Sequence, residues 1–149
     1  MIEQIKMVEN FGRIFGLHVN ETLFGLVDEK TIALRFKLID EELRELKEAV
    51  AEGDRAHILK EYSDLLYVVF GFAVNFGIQD VAVEAFRRVH ESNLSKLDEN
   101  GKPIYNENGK VVKGPNYKEP TMEGLTEKHV VIRMPLASSF AVARNLGEQ

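Results

Sequence analysis

The sequence contains no cysteine, which excludes disulfides, thiolate nucleophiles and thiolate metal ligands together. That absence fits a reducing compartment, and a cytoplasmic location is the expectation. No apolar run approaches the ~20 residues needed to span a bilayer. The most apolar stretch, Leu65 to Phe76, is interrupted by Asn75 and reads as a buried core helix. The start, Met1-Ile2-Glu3-Gln4-Ile5-Lys6, lacks the charged-then-apolar order of a signal peptide. Positive charge is not in excess either: a formal net charge of −5 leaves no basic footprint for a phosphate backbone, so neither nucleic acid nor membrane is an expected partner. Internal repeats and low-complexity segments are also missing from this reading.

What is present is the material of one compact domain. A length of 149 residues, 44% hydrophobic and 29% charged, is enough to bury a sizeable core. Ile5, Val8, Phe11, Ile14 and Phe15 approximate a helical stripe over residues 2–16. Asp28 is a good N-cap for a second helix from Glu29 to Glu52, and Gly53 ends it. Asp54 can cap a third from Arg55 to Phe76, whose second half is apolar around most of its circumference and should be buried. Gly77 breaks that helix, and Asp80 is the expected cap of a fourth from Val81 to Leu97. The short connections predict antiparallel neighbours. The fold class is therefore all-α, a four-helix unit over residues 1–97, with residues 98–149 as an extension of the same domain. Within the extension, Pro103-Ile104-Tyr105 and Lys110-Val111-Val112 flank an Asn106-Glu107-Asn108-Gly109 turn and predict a small β-hairpin. The tail from Thr121 to Gln149, with His129 and Val130-Val131-Ile132, shows no clear pattern.

Two clusters of acids carry the chemistry: Glu41-Glu42-Leu43-Arg44-Glu45 on the second helix and Glu61-Tyr62-Ser63-Asp64 on the third. Glu42 and Glu45 stand about 60° apart around the helix axis and Glu41 and Glu45 about 40°, so all three project to one side. A solvated face with ion pairs is one reading, since Lys37 and Glu41, and Asp40 and Arg44, lie at the favourable spacing of four. The second cluster argues otherwise, because Asp64 shares a stripe with Tyr67, Val68 and Gly71 at the entrance to the most apolar helix. Aspartate is a poor helix-interior residue and is costly to bury without a partner. Lys60, one turn earlier, serves that need only for an exposed pair. If the two acidic faces meet, the ligands are all oxygen, which selects magnesium, or manganese, over zinc or copper. A di-iron bundle would want two Glu-x-x-His elements, and none occurs.

The arrangement Glu41-Glu42-x-x-Glu45 followed by Glu61-x-x-Asp64 resembles the signature of the all-α nucleoside triphosphate pyrophosphohydrolases, the MazG-like and phosphoribosyl-ATP pyrophosphohydrolase-like superfamily. Ser92-Asn93-Leu94-Ser95-Lys96-Leu97-Asp98, Gly101-Lys102-Pro103 and the run from Gly109 to Tyr117 resemble the second of these branches, and the likeness extends over residues 5 to 120. The resemblance implies a MazG-like helical catalytic domain that hydrolyses a nucleoside triphosphate, favouring a deoxynucleotide, to the monophosphate and pyrophosphate. It implies Glu42, Glu45, Glu61 and Asp64 as magnesium ligands, with Glu41 holding a further metal or orienting and deprotonating the attacking water. It also implies an oligomer, a homodimer at least or a tetramer, with sites that can form between subunits. Phosphoribosyl-ATP is the alternative substrate, and a non-catalytic helical dimerisation or regulatory module is the alternative of another class.

Around the acids, Asn93 and Lys96 are the candidates for gripping phosphates, although a lysine at a helix end also suits the macrodipole. Arg87, Arg88 and Lys113 are weaker candidates. His18, Phe24 and Tyr67 are the groups available to stack on or hydrogen-bond a base. His57 and His90 read as ordinary surface or boundary residues.

Overall fold

The computed structural model describes residues 1–127. His129 and Val130-Val131-Ile132 lie outside the described residues. The order is α1 (Ile2–Ile14), α2 (Glu29–Glu52), α3 (Arg55–Asn75) and α4 (Ala82–Leu94), with no strand among the described residues.

The long central pair starts from its caps. The Asp28 carboxylate accepts from the Thr31 backbone N–H at 2.9 Å and from its hydroxyl at 2.7 Å, which satisfies one of the free donors of α2 and fixes its first turn. At the other end, Gly53 adopts a left-handed φ of 76° and returns its N–H to the Ala49 carbonyl at 3.1 Å. Asp54 then accepts from the backbone N–H groups of Ala56 and His57 at 2.9 and 3.3 Å and starts α3. Two residues thus stop one helix and start the next, so α2 and α3 form an antiparallel hairpin. They pack along their length, and α1 packs on α3.

The best-buried apolar cluster is Ile5 and Val8 of α1 with Val74 of α3, and Val19, Phe70 and Ala82 close around it. A polar knot sits beside it. Asn75 is 1% exposed, accepts from Arg35 Nε and donates to the His18 carbonyl; Gln79 donates to the Asn20 carbonyl at 3.2 Å. These bonds tie the connection after α1 to the end of α3. Gly77 makes the crossing possible: its φ is 69°, and a Cβ there would stand 2.1 Å from the Thr22 carbonyl oxygen.

Three expectations are corrected. α4 begins after Val81, which takes the N-cap position with no side-chain cap bond in place of Asp80, and it ends at Leu94 in place of Leu97. The hairpin reduces to one antiparallel bridge, Tyr105 with Val111, because each flank is only a few residues long. The sequence does contain a local repeat. Residues 98–102 and 106–110, Asp-Glu-Asn-Gly-Lys and Asn-Glu-Asn-Gly-Lys, fold into the same loop. In each, the first side chain accepts from the backbone N–H groups two and four residues on, and the glycine has a left-handed φ, 73° at Gly101 and 72° at Gly109.

α4 makes no extensive contact with another helix. The extension lies on it instead: Ser92 donates to the Lys118 carbonyl at 2.7 Å, and Arg88 donates to the carbonyls of Thr121 and Glu123 at 3.0 and 2.8 Å. The apolar circumference expected to bury α3 is only partly covered within one chain, since Leu59 remains 66% and Val69 41% exposed.

Candidate metal centre

The hairpin brings the two acidic clusters together. Oxygen atoms of Glu42 and Glu45 on α2 and of Glu61 on α3 all lie within 4.8 Å of one another. Glu61 is 2% exposed and Glu42 and Glu45 are half-buried, so like charges converge where water screens them poorly. The response is visible at Glu42. Its carboxyl is pushed above the ordinary range, first by burial and then by the charges of Glu45, Asp64 and Glu61.

Asp64 borders this group. Its carboxylate meets Lys60 at 3.0 Å, and the same ammonium reaches Glu61 Oε1 at 2.9 Å. These two bonds raise the lysine further above its usual range. Lys60 therefore supplies more than an exposed pair, bridging the two α3 acids. His57 is a boundary residue, half-buried at the edge of this group. It contacts the centre directly, with Nε2 3.0 Å from Glu61 Oε1 and Nδ1 2.8 Å from Glu52. Its spacing of four from Glu61 was the available signal.

Lys60 and His57 meet the same oxygen of Glu61. The other, Oε2, is buried and has no hydrogen-bond partner. A buried carboxylate oxygen without a donor is costly unless a cation meets it, and here it belongs to a three-glutamate cluster that offers only oxygen. The residues fit a hard divalent ion such as magnesium or manganese. Glu42, Glu45 and Glu61 would hold it, with Asp64 at the edge.

Glu41 is exposed and stands outside the three-glutamate group. The ion pairs expected at Lys37–Glu41 and Asp40–Arg44 do not form; Arg44 turns to Glu48 at 2.9 Å and Glu45 at 3.3 Å. The depression lined by Asp40, Leu43, Arg44, Lys47, Glu48 and Ala51 lies on the face of α2 opposite Glu42 and Glu45, so it is not the mouth of this centre.

The other candidates are dispersed. Tyr67, one turn beyond Asp64, packs edge-on against Phe11 of α1 with centroids 5.7 Å apart. His18 is exposed and contributes its carbonyl to Asn75. Phe24 is 55% exposed with a φ of 49°. Asn93 and Lys96 bond to each other at 2.7 Å and form no hydrogen bond or ion pair with the acids. Arg87 and Arg88 are engaged by Glu84 at 2.6 and 2.9 Å, and Lys113 by Glu119 at 3.3 Å.

Comparison with known proteins bears on the same segment. The family model described as phosphoribosyl-ATP pyrophosphohydrolase matches residues 8–93, a span that includes both acidic clusters. Over 110 residues the chain is 36% identical to an uncharacterized protein of Acanthamoeba polyphaga mimivirus, an alignment covering 71% of this chain and 40% of that relative. The chain thus spans less than half the length of that relative. Matched over more than half of its own length, the chain belongs to the phosphoribosyl-ATP pyrophosphohydrolase family, within the all-α nucleoside triphosphate pyrophosphohydrolase superfamily.

Proposed function

We propose that this protein is a magnesium-dependent nucleoside triphosphate pyrophosphohydrolase that releases pyrophosphate and the monophosphate, with deoxynucleotides as favoured substrates. One observation carries the reading: the buried, unpartnered Glu61 Oε2 within a cluster of three glutamates. A divalent ion held there would bind phosphate oxygens, neutralise developing charge and acidify water. The chain's own part is to converge Glu42, Glu45, Glu61 and Asp64, and to hold Glu61 by His57 and Lys60 so that one oxygen stays open. Glu41, exposed beside the cluster, is the proposed group for orienting and deprotonating the attacking water, which requires hydrogen-bond reach to it. His18 and Tyr67 are proposed on the base side, and Asn93 and Lys96 as phosphate contacts.

The matched family description favours a second reading, phosphoribosyl-ATP as the substrate. We also propose a homodimer or tetramer, supported by apolar groups left open on α2, α3 and α4. The test is pyrophosphate release over common ribo- and deoxynucleoside triphosphates and phosphoribosyl-ATP, with magnesium or manganese. Release should require the ion and fall more than about 100-fold in Glu42→Gln and Asp64→Asn, beyond the usual cost of losing an outer partner of a metal ligand. Release without the ion, or unchanged in both variants, would overturn the metal-dependent reading, and no release from any of these substrates would leave the non-catalytic helical module.

A further inference from the structure

We propose that Arg35 is a phosphate-binding residue of this site, taking an anionic phosphate of the substrate at the α1-proximal end of the α2–α3 face that carries the acids. The inference rests on the proposed function for the identity of the substrate, and its test is separable from it. Arg35 is half-buried between α2 and α3, and burial lowers its guanidinium below the usual range. Its single hydrogen bond, from Nε, goes to Asn75 Oδ1, and no carboxylate pairs with it among the described residues. Arg13, Arg44, Arg87 and Arg88, by contrast, each meet a glutamate. A half-buried charge held only by a neutral amide lacks its counter-ion.

The surroundings fix the group in place. The Asn75 amide is set by its own donation to the His18 carbonyl, which leaves its oxygen for Arg35. Nη1 lies over Gly71, where an added Cβ would stand 2.5 Å from it, and all three nearest atoms to that Cβ belong to Arg35. Glycine is unfavourable within a helix; at this position it gives the guanidinium its space. The terminal nitrogens keep their donors, in the planar fork that pairs with two phosphate oxygens.

Position completes the argument. Arg35 lies two turns before Glu42 on the same face of α2, and Gly71 two turns after Asp64 on the same face of α3. The separation along the helices is about 10.5 Å, and with the guanidinium held at Asn75 and Gly71 it is the row of phosphates that spans it. The other basic side chains near the acids, Lys60 and His57, are already bonded to Glu61. Arg35 shares the face of the acids and has no carboxylate partner among the described residues.

The decisive measurement uses the intact protein and inorganic triphosphate. Phenylglyoxal modification of Arg35, mapped by mass spectrometry, should slow several-fold with magnesium and triphosphate together and not with magnesium alone. In parallel, Arg35→Gln should raise KM about 10- to 100-fold, the range for losing hydrogen bonds to a charged group, while manganese affinity stays at the wild-type value. Arg35→Lys should recover part of the loss. Gly71→Ala, which favours the helix and displaces only the guanidinium, should raise KM in the same direction, so the idea stays open to refutation if Arg35→Gln fails to fold. Equal modification rates with and without triphosphate, or a folded Arg35→Gln with wild-type KM, would overturn it. A wild-type protein that releases no pyrophosphate would count against the proposed function, while the protection result still decides the role of Arg35.

Discussion

His57 touches Glu61 through one ring nitrogen and Glu52 through the other, which makes it an orienting partner of a proposed metal ligand. Removing such a partner weakens metal binding by about 10- to 100-fold in comparable sites. His57→Ala should therefore lose about that much manganese affinity in a direct titration while keeping its helical content. The same contacts set a pH dependence. Hydrogen bonds to Glu52 and then Glu61 raise His57 above its ordinary value of 6.5, so the folded state holds the proton more tightly than the unfolded one. The stabilisation is complete below that value and is lost as pH rises through the higher folded one. Without metal, thermal melts of wild type and His57→Ala should differ most in mildly acidic buffer and converge in alkaline buffer. At this scale the acids were legible because four of them repeat at helical spacing. His57 was legible only through its spacing of four from Glu61, and Arg35 was not, because a lone cation in a helix says nothing about which groups the neighbouring helix will set against it.

Helix boundaries were written in the caps, so α2 and the start of α3 were readable from Asp28, Gly53 and Asp54. Each capping aspartate contributes about 1 kcal/mol. Where caps were misleading, at Asp80, the start of α4 fell one residue late in the chain relative to expectation, and the helix ended at Leu94 with Ser95 as its C-cap. Two glycines with nearly the same backbone separate local strain from tertiary contact. Gly53 has a φ of 76° with nothing within 4 Å of an added Cβ, whereas Gly77 has a φ of 69° with Thr22 and Leu23 backbone atoms inside that radius. Gly53→Ala should cost about 1–2 kcal/mol from the left-handed conformation alone. Gly77→Ala should cost clearly more in the same denaturant titration, because a backbone carbonyl must also move. Equal losses would mean that the connection after α1 yields freely.

One chain leaves Leu34 50%, Phe36 53%, Val50 58%, Leu59 66% and Phe86 65% exposed, on helices whose partners within the chain cover only one side. Scattered apolar residues on a surface are ordinary; a set this large on three successive helices supports burial by further copies. Sedimentation at micromolar concentration should give at least twice the 16.9 kDa of one chain, and Leu59→Glu or Phe86→Glu should shift it toward the monomer. Retention of wild-type mass in both variants would place the interface elsewhere. The all-α class and the four helices followed from periodicity. What covers the outer faces did not, because an apolar stripe reports that something packs on it and not which chain supplies the partner.

The two-residue connection between α2 and α3 has a geometric consequence. Glu45 and Glu61 stand equally far from Gly53 along the chain, as do Glu42 and Asp64, and Arg35 and Gly71. The hairpin is folded like a ruler about its hinge, with each pair a rung at matching height. Inserting one residue beside Asp54 would rotate α3 by about 100° and shift it by about 1.5 Å relative to α2, misaligning every rung at once while each helix stays intact. Such a variant should keep its circular dichroism and lose manganese binding, so the length of this turn is as much a part of the site as the acids it aligns.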